Sequence, residues 1–188
     1  SGLVGMARAE ADDLSRAAVH VSSETLQAAA QALEAAARIV VLGQGLALPL
    51  ATLLAMSLQA LGREAQAPPV DSLGLALSLE GIDTGVLVVA ISTAWEGNEV
   101  AGALAHARAQ GARTLAVSLS PLSPSSQVAE LALSCPMSLR YALAPAAPLA
   151  LLVDVLLQGL AGRLGAGAGE RLVRISEAQA AIAEARDS

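Results

Sequence analysis

Two stretches constrain this chain more than any other: "RIVVLGQG" at 38–45 and "GVLVVAISTAWEGN" at 85–98, each an apolar run that passes through a glycine-bearing turn into a segment with helical spacing. The repeated unit is strand, turn, helix. Two further apolar runs, "RTLAVSL" at 113–119 and "LALSCPM" at 131–137, and a weaker one in "REAQA" at 63–67, extend it. Strands that alternate with helices at this spacing argue for a parallel sheet covered by helices on both faces.

Helical patterns fill the gaps. Residues 22–37, "SSETLQAAAQALEAAA", have Ser22 or Ser23 as N-cap, Glu24 in the first turn and a stripe of Leu26, Ala30, Leu33 and Ala37. "LALPLATLLAMSLQALG" reads as a buried helix from about Pro49, and "VDSLGLALSL" as a short helix or loop. The helix after "STAWEGN" turns Val100, Leu104 and Ala107 inward, and the tail holds two helices, 145–164 and 168–185. The expected organisation is one domain: leading helices in 1–37, an α/β core over 38–135 and closing helices over 145–185.

Composition sets the limits. The 188 residues are enough for one domain with a substantial core, and 54% are hydrophobic although Trp95 and Tyr141 are the only aromatics, so the core is built from Ala, Leu and Val. The net charge is −6 and the 11 basic residues are single arginines, which does not suit a nucleic-acid surface. A lone Cys135 allows no internal disulfide and points to a packed thiol in a reducing compartment. The start, "SGLVGMARAEADDL", lacks the basic flank and apolar centre of a signal peptide, and Pro49 and Asp154 interrupt the two long apolar stretches. The expectation is a cytoplasmic protein without a membrane span.

In a doubly wound sheet of order 2-1-3-4-5, ligands bind at the carboxyl ends of strands 1 and 3, where the winding reverses. Those strands end at Gly43 and Ile91, so "GQG" and "STAWEGN" are expected to meet, with "SLSP" after the fourth strand beside them.

At these residues the chain resembles the sugar isomerase, or SIS, domain. The resemblance rests on "RIVVLGQG", on the block from "GVLVVAIS" through "NEV" to "RTLAVSLSPLSP", and on the long helix around Asp154. It implies an α/β, flavodoxin-like three-layer sandwich with a five-stranded parallel sheet of order 2-1-3-4-5 that binds phosphosugars. Within that superfamily the chain is most similar to the effector domain of RpiR-type transcriptional regulators, through the leading "RAEADDLSRAAVHV" and the closing "GERLVRISEAQAAIAEARD". That likeness implies a small-molecule effector, a sugar phosphate or analogue, a homo-oligomer (dimer or tetramer), no cofactor or metal, and contact with DNA only through a helix-turn-helix domain outside this chain. The implied ligand residues are Gly43, Gln44, Gly45 and Ala47 in the first loop, Ser92, Thr93, Ala94, Trp95, Glu96, Gly97 and Asn98 in the second, and Ser118 and Ser120 in the third. The other reading of the resemblance is a phosphosugar isomerase.

The loops depart from the family pattern. Ala47 stands where the first loop has serine, and against a pattern like S-x-S-G-E-T the second keeps Ser92 and Glu96 but has Ala94, Trp95 and Gly97 for the second Ser, the Gly and the Thr. A hydrogen bond to a charged group contributes about 1.5–3 kcal/mol, so three lost hydroxyls nominally remove about 4–9 kcal/mol. Even the lower figure weakens phosphate binding about a thousandfold. Backbone N–H groups at the helix start after Gly97 still favour an anion. Trp95 has two readings: it packs as a lid or in a subunit contact, or it stacks on a ligand ring.

Isomerisation needs a base. Glu96 and Glu99 sit in a first helical turn, where the dipole alone favours a carboxylate. His106 is placed on a solvent face, and His20 between two helices reads as a packing or interface residue. No acidic residue lies between Leu131 and Val153, where isomerases of this family carry a glutamate, and Arg140 occupies that segment instead. No catalytic residue is assigned. The stripe Leu172, Ile175, Ala178 and Ile182 on the last helix is the expected contact for self-association.

Overall fold

The computed structural model describes residues 2–93, 97–136 and 146–186. Helices α1 (Leu3–Ala18) and α2 (Ser23–Ala35) lead into β1 (Arg38–Gly43), a 3-10 turn at Gly45–Ala47, α3 (Leu48–Ala60), β2 (Ala65–Gln66) and α4 (Ser72–Leu79). β3 (Val86–Ser92), α5 (Asn98–Ala109), β4 (Arg113–Ser118), α6 (Pro124–Val128) and β5 (Leu131–Ser134) follow, and α7 (Ala147–Leu164) and α8 (Ala166–Arg186) come last. Every strand pairing is parallel and the order is β2-β1-β3-β4-β5, the topology expected of the resemblance.

The unbroken apolar runs are explained by burial on both faces. All seven residues of β3 are buried, and successive side chains of a strand serve opposite layers. Ile39, Val41, Leu87, Val89 and Leu115 face α2, α3 and α7 through Leu33, Leu54, Leu58, Leu152 and Leu156. Val40, Leu42, Val88 and Ala90 face α4 and α5 through Leu79, Val100, Leu104 and Ala107. Small residues bring the layers close: a Cβ on Gly159 of α7 would stand 3.3 Å from Ala30 Cβ of α2.

Several expectations shift in detail. Ser22 caps α2 through Thr25 N, as its sequence suggests, but the helix stops at Ala35 and buries Ala29, Ala30, Ala32 and Leu33. Ala37 is exposed and outside the stripe, because Ala36 turns to extended geometry and Ala37 N donates to Gly85 O at 2.8 Å as the chain enters the sheet. His20 is exposed rather than packed between helices. Helix α7 is long and apolar enough to cross a membrane by length and composition, yet Leu149, Leu152, Val153, Leu156 and Leu160 form its core face while Asp154 points outward. Cys135 is buried, and burial pushes its thiol pKa up. The stripe on α8 stays largely uncovered within the chain, with Leu172 47% and Ile182 66% exposed.

Two close fits hold the carboxyl edge of the sheet. At the end of β1, a Cβ on Gly43 would lie 2.7 Å from Ala51 Cβ and 2.8 Å from Ala47 O, so α3 seats directly on the strand. At the end of β4, the buried Ser118 hydroxyl donates to Ser120 O at 2.8 Å and lies 2.8 Å from Ser126 Oγ and 2.9 Å from Ser134 Oγ. Because Ser118 has one proton and gives it to Ser120 O, Ser126 and Ser134 both donate to Ser118, and Ser123 in turn donates to Ser126 at 2.9 Å. These hydroxyls tie β4, β5 and α6 together. Arg113 Nη2 meets Glu130 Oε1 at 2.9 Å on the outside of the same unit, and its guanidinium holds the Glu130 carboxyl below its ordinary pKa.

Gly43→Ala is expected to destabilise the fold by about 1–3 kcal/mol, since backbone and not a flexible side chain must move, readable as a lowered denaturant midpoint. Ser118→Ala leaves two buried hydroxyls and a carbonyl short of a partner and should cost about 1–3 kcal/mol, whereas Ser120→Ala should change the midpoint little. Since the Glu130 pKa is depressed by folding, its contribution is present above the unfolded carboxylate pKa and disappears as pH falls through the folded one. Glu130→Gln should therefore lower stability at pH 7 by less than about 1 kcal/mol, the pair being partly exposed, and make no difference at pH 3 in parallel urea melts.

Candidate functional site

The winding reverses at β1, which carries β2 on one side and β3 on the other. In register, Gly43 lies beside Ile91 and Ser92 beside Ser118, so the loops after β1, β3 and β4 leave the sheet from three neighbouring strand ends. Adjacent strands are about 4.8 Å apart, which puts the three loops within reach of one small molecule.

Glycine shapes the first loop. Gly43 admits α3 at the strand end, and Gly45 has φ 57°, a left-handed conformation that a side chain resists. Gln44, between them, points across to the second loop: a Cβ at Gly97 would lie 3.0 Å from Gln44 Oε1 and 2.3 Å from Glu99 Oε2. Gln44, Gly97 and Glu99 thus gather at one mouth, and the meeting of "GQG" with "STAWEGN" expected from topology is present. Ala94, Trp95 and Glu96 lie outside the described residues, as does Arg140.

The hydroxyls divide into a floor and a rim. Ser92 and Thr93 are buried at 1% and 8% exposure, and Ser92 Oγ donates to Thr93 O at 3.5 Å. Ser118 is fully buried in the serine network, which places it beneath the crevice as support for the third loop. Ser120, half-buried, lies nearer the surface, and its Oγ accepts from Leu122 N at 3.1 Å. Ala47 is buried in the core at 1% exposure, so its methyl serves packing. Gly45 and Asn98 are exposed, and Gln44 and Gly97 half-buried. Ser123, Ser126 and Ser134 were not assigned to the site by their sequence, although "SPLSPSS" and "LALS" place hydroxyls within one strand spacing of Ser118.

Helix starts supply the electrostatics. Ser22, Asp71 and Ser123 cap α2, α4 and α6 with side-chain oxygens. The two helices that begin at the winding reversal lack such caps: α3 starts from Ala47 and α5 from Gly97. Their first-turn N–H groups are left without a side-chain acceptor, and such groups attract an anion or a ligand oxygen. Glu99, exposed in the first turn of α5, sets a negative charge against that attraction. His106 lies elsewhere, exposed on α5 in a groove of about 440 Å³ with Leu75, Leu79 and Glu80. Among the described residues, no group of three His, Cys, Asp or Glu side chains is placed to hold a metal.

Known structures match this arrangement. The RpiR transcription factor from Sphaerobacter thermophilus (sugar isomerase domain) superposes with a TM-score of 0.85 at 22% identity, over 93% of this chain and 97% of its own. The Vibrio vulnificus NanR protein complexed with ManNAc-6P gives a TM-score of 0.83 at 22% identity, over 94% of this chain and 67% of its own. The c3406 protein of E. coli CFT073 gives 0.67 at 17% identity, over 84% and 89%. At these identities the likeness is one of fold. No curated protein sequence matched the chain. The SIS domain family matches residues 32–156, from the end of α2 through all five strands into α7, and this chain belongs to that family.

Proposed function

We propose that this chain is the effector-sensing domain of an RpiR-type transcriptional regulator and takes a small sugar-derived metabolite at the crevice between β1 and β3. The observation that carries the reading is the pair of helix starts at Ala47 and Gly97, without side-chain caps, facing the mouth formed by Gln44 and Gly97. A ligand oxygen there completes hydrogen bonds that the protein leaves open. The fold likeness to the Sphaerobacter transcription factor and to NanR supports a sensor. Recognition of DNA then belongs to a helix-turn-helix domain outside these residues, and the setting is the cytoplasm. As an effector site the crevice needs only differential affinity between two states. No general base is assigned to it.

Phosphate is held weakly in this reading. Ala94 and Gly97 supply no hydroxyl, and Glu99 lies beside the α5 start. The favoured ligand is a less charged or ring-bearing sugar derivative, with Trp95 at the rim.

Trp95 is the only tryptophan, so its emission reports on the second loop. ManNAc-6P and an aldopentose phosphate below millimolar concentration are expected to leave that emission nearly unchanged, while Ala94→Ser with Gly97→Thr should tighten their binding about tenfold or more in calorimetry, the effect of one charge-assisted hydrogen bond. Micromolar binding of either compound by the unmodified chain would overturn the weak phosphate cup. Interconversion of a ketose and an aldose phosphate, abolished by Glu96→Gln, would replace the sensor with the isomerase reading.

A further inference from the structure

Helix α3, "LPLATLLAMSLQA", contains no charged residue, although half of it faces out of the domain. Its inner face, Ala51, Leu54, Ala55 and Leu58, is buried against the sheet. On the other side Leu48 is 43%, Leu53 47% and Met56 64% exposed, and Leu46, just before the helix, is 58% exposed. At about 100° per residue, Leu48 and Leu53 lie roughly 80° and 60° to either side of Met56, and Pro49, Thr52 and Ala60 fall within the same arc. A helix that ends its exposure at water normally places charges there, as α5 does with Glu99, His106 and Arg108. The apolar surface continues past Ala60 into a groove of about 320 Å³ lined by Leu61, Leu157 and Ala161 of α3's end and α7, and by Leu172 of α8.

We propose that a second copy of this chain packs on the outer face of α3, helix against helix across a two-fold axis near Met56. Area and charge favour a second copy. The half-exposed leucines, Met56 and the groove form a contiguous apolar surface of several hundred Å², at or above what a monomer usually leaves in water. That approaches the ~800 Å² per partner of a standard interface. Near a two-fold axis each residue meets its own copy, so any charge there faces the same charge. With a net charge of −6 most of the surface repels its copy, and α3 offers a long, self-compatible ridge. The ridge begins at Leu46 and Leu48, in and just after the first crevice loop, so the pairing covers the outer wall of that loop. This differs from self-association through the stripe on α8, which contributes only Leu172 to the groove.

The test is light scattering with variants on three faces. The unmodified chain is expected to be a dimer at about 50 µM, and Met56→Asp should weaken the dimer about a hundredfold or more, from an unpaired charge at the axis. Leu77→Asp on α4 and Ile182→Asp on α8 should leave it intact. Because Met56 is exposed, the variant should keep its circular dichroism and melting transition, separating loss of pairing from loss of fold. Met56→Cys gives a second reading: mild oxidation should link two chains through position 56, while Cys135 stays buried and unreactive. Amides of 45–56 should exchange hydrogen more slowly in the unmodified dimer than in Met56→Asp. An unmodified chain that is monomeric at this concentration, a dimer that survives Met56→Asp, or one that dissociates with Ile182→Asp instead would each overturn the proposal.

Discussion

Burial of the central strands on both faces is the constraint from which the rest of the architecture follows. No side chain of β3 is exposed, and five of the six residues of β1 are buried. A strand without a wet face requires a helical layer on each side, and parallel pairing supplies those layers through its crossovers. Every crossover then runs from a strand's carboxyl end into a helix start, which gathers the loops after β1, β3 and β4 on one edge. A core nearly free of aromatics tolerates this because Ala and Gly let helices approach closely, as Ala30 with Gly159 and Ala51 with Gly43 do. In exchange, cohesion depends on close fit, since each Ala buries little area.

Hydrogen bonding at the carboxyl edge is distributed unevenly. After β4 the hydroxyls of Ser118, Ser123, Ser126 and Ser134 bond one another, so the third loop is rigid and self-satisfied. After β1 and β3 the helix starts have no side-chain caps, and the open donors lie at the mouth where Gln44 reaches Gly97. A stiff wall beside an incomplete one suits reversible capture of a ligand. Glu99 tempers its charge preference, because a carboxylate in the first turn already interacts with the dipole that would otherwise attract a phosphate.

Element types, order and approximate bounds were legible in the sequence because periodicity and turn residues are local signals. Strand runs 38–43, 85–92 and 113–119 and the helices of the tail fall within about two residues of their places, and the crevice between β1 and β3 follows from strand order. Less legible was the use made of each polar side chain. Ser118 and Ser120 have the same residue type two positions apart, yet one is fully buried in a network and the other lies nearer the surface. That difference arises from Ser126 and Ser134, which are distant in sequence and adjacent only after β5 pairs with β4. Ala37 left its expected stripe for a similar reason, a backbone bond to Gly85 that outcompetes another helical turn.

The sequence by itself determined the parallel, two-sided sheet, the family's loops and the missing hydroxyls at positions 47, 94 and 97, since each is a matter of residue identity and near spacing. Only the tertiary structure decided that Ala47 belongs to the core, that Gln44 and Glu99 converge on Gly97, and that α3 keeps an uncharged face in solvent. A uniformly apolar helix reads as buried on all sides from its composition. Its second face stays uncovered because α3 connects β1 to β2, the strand at the edge of the sheet, where the covering layer ends.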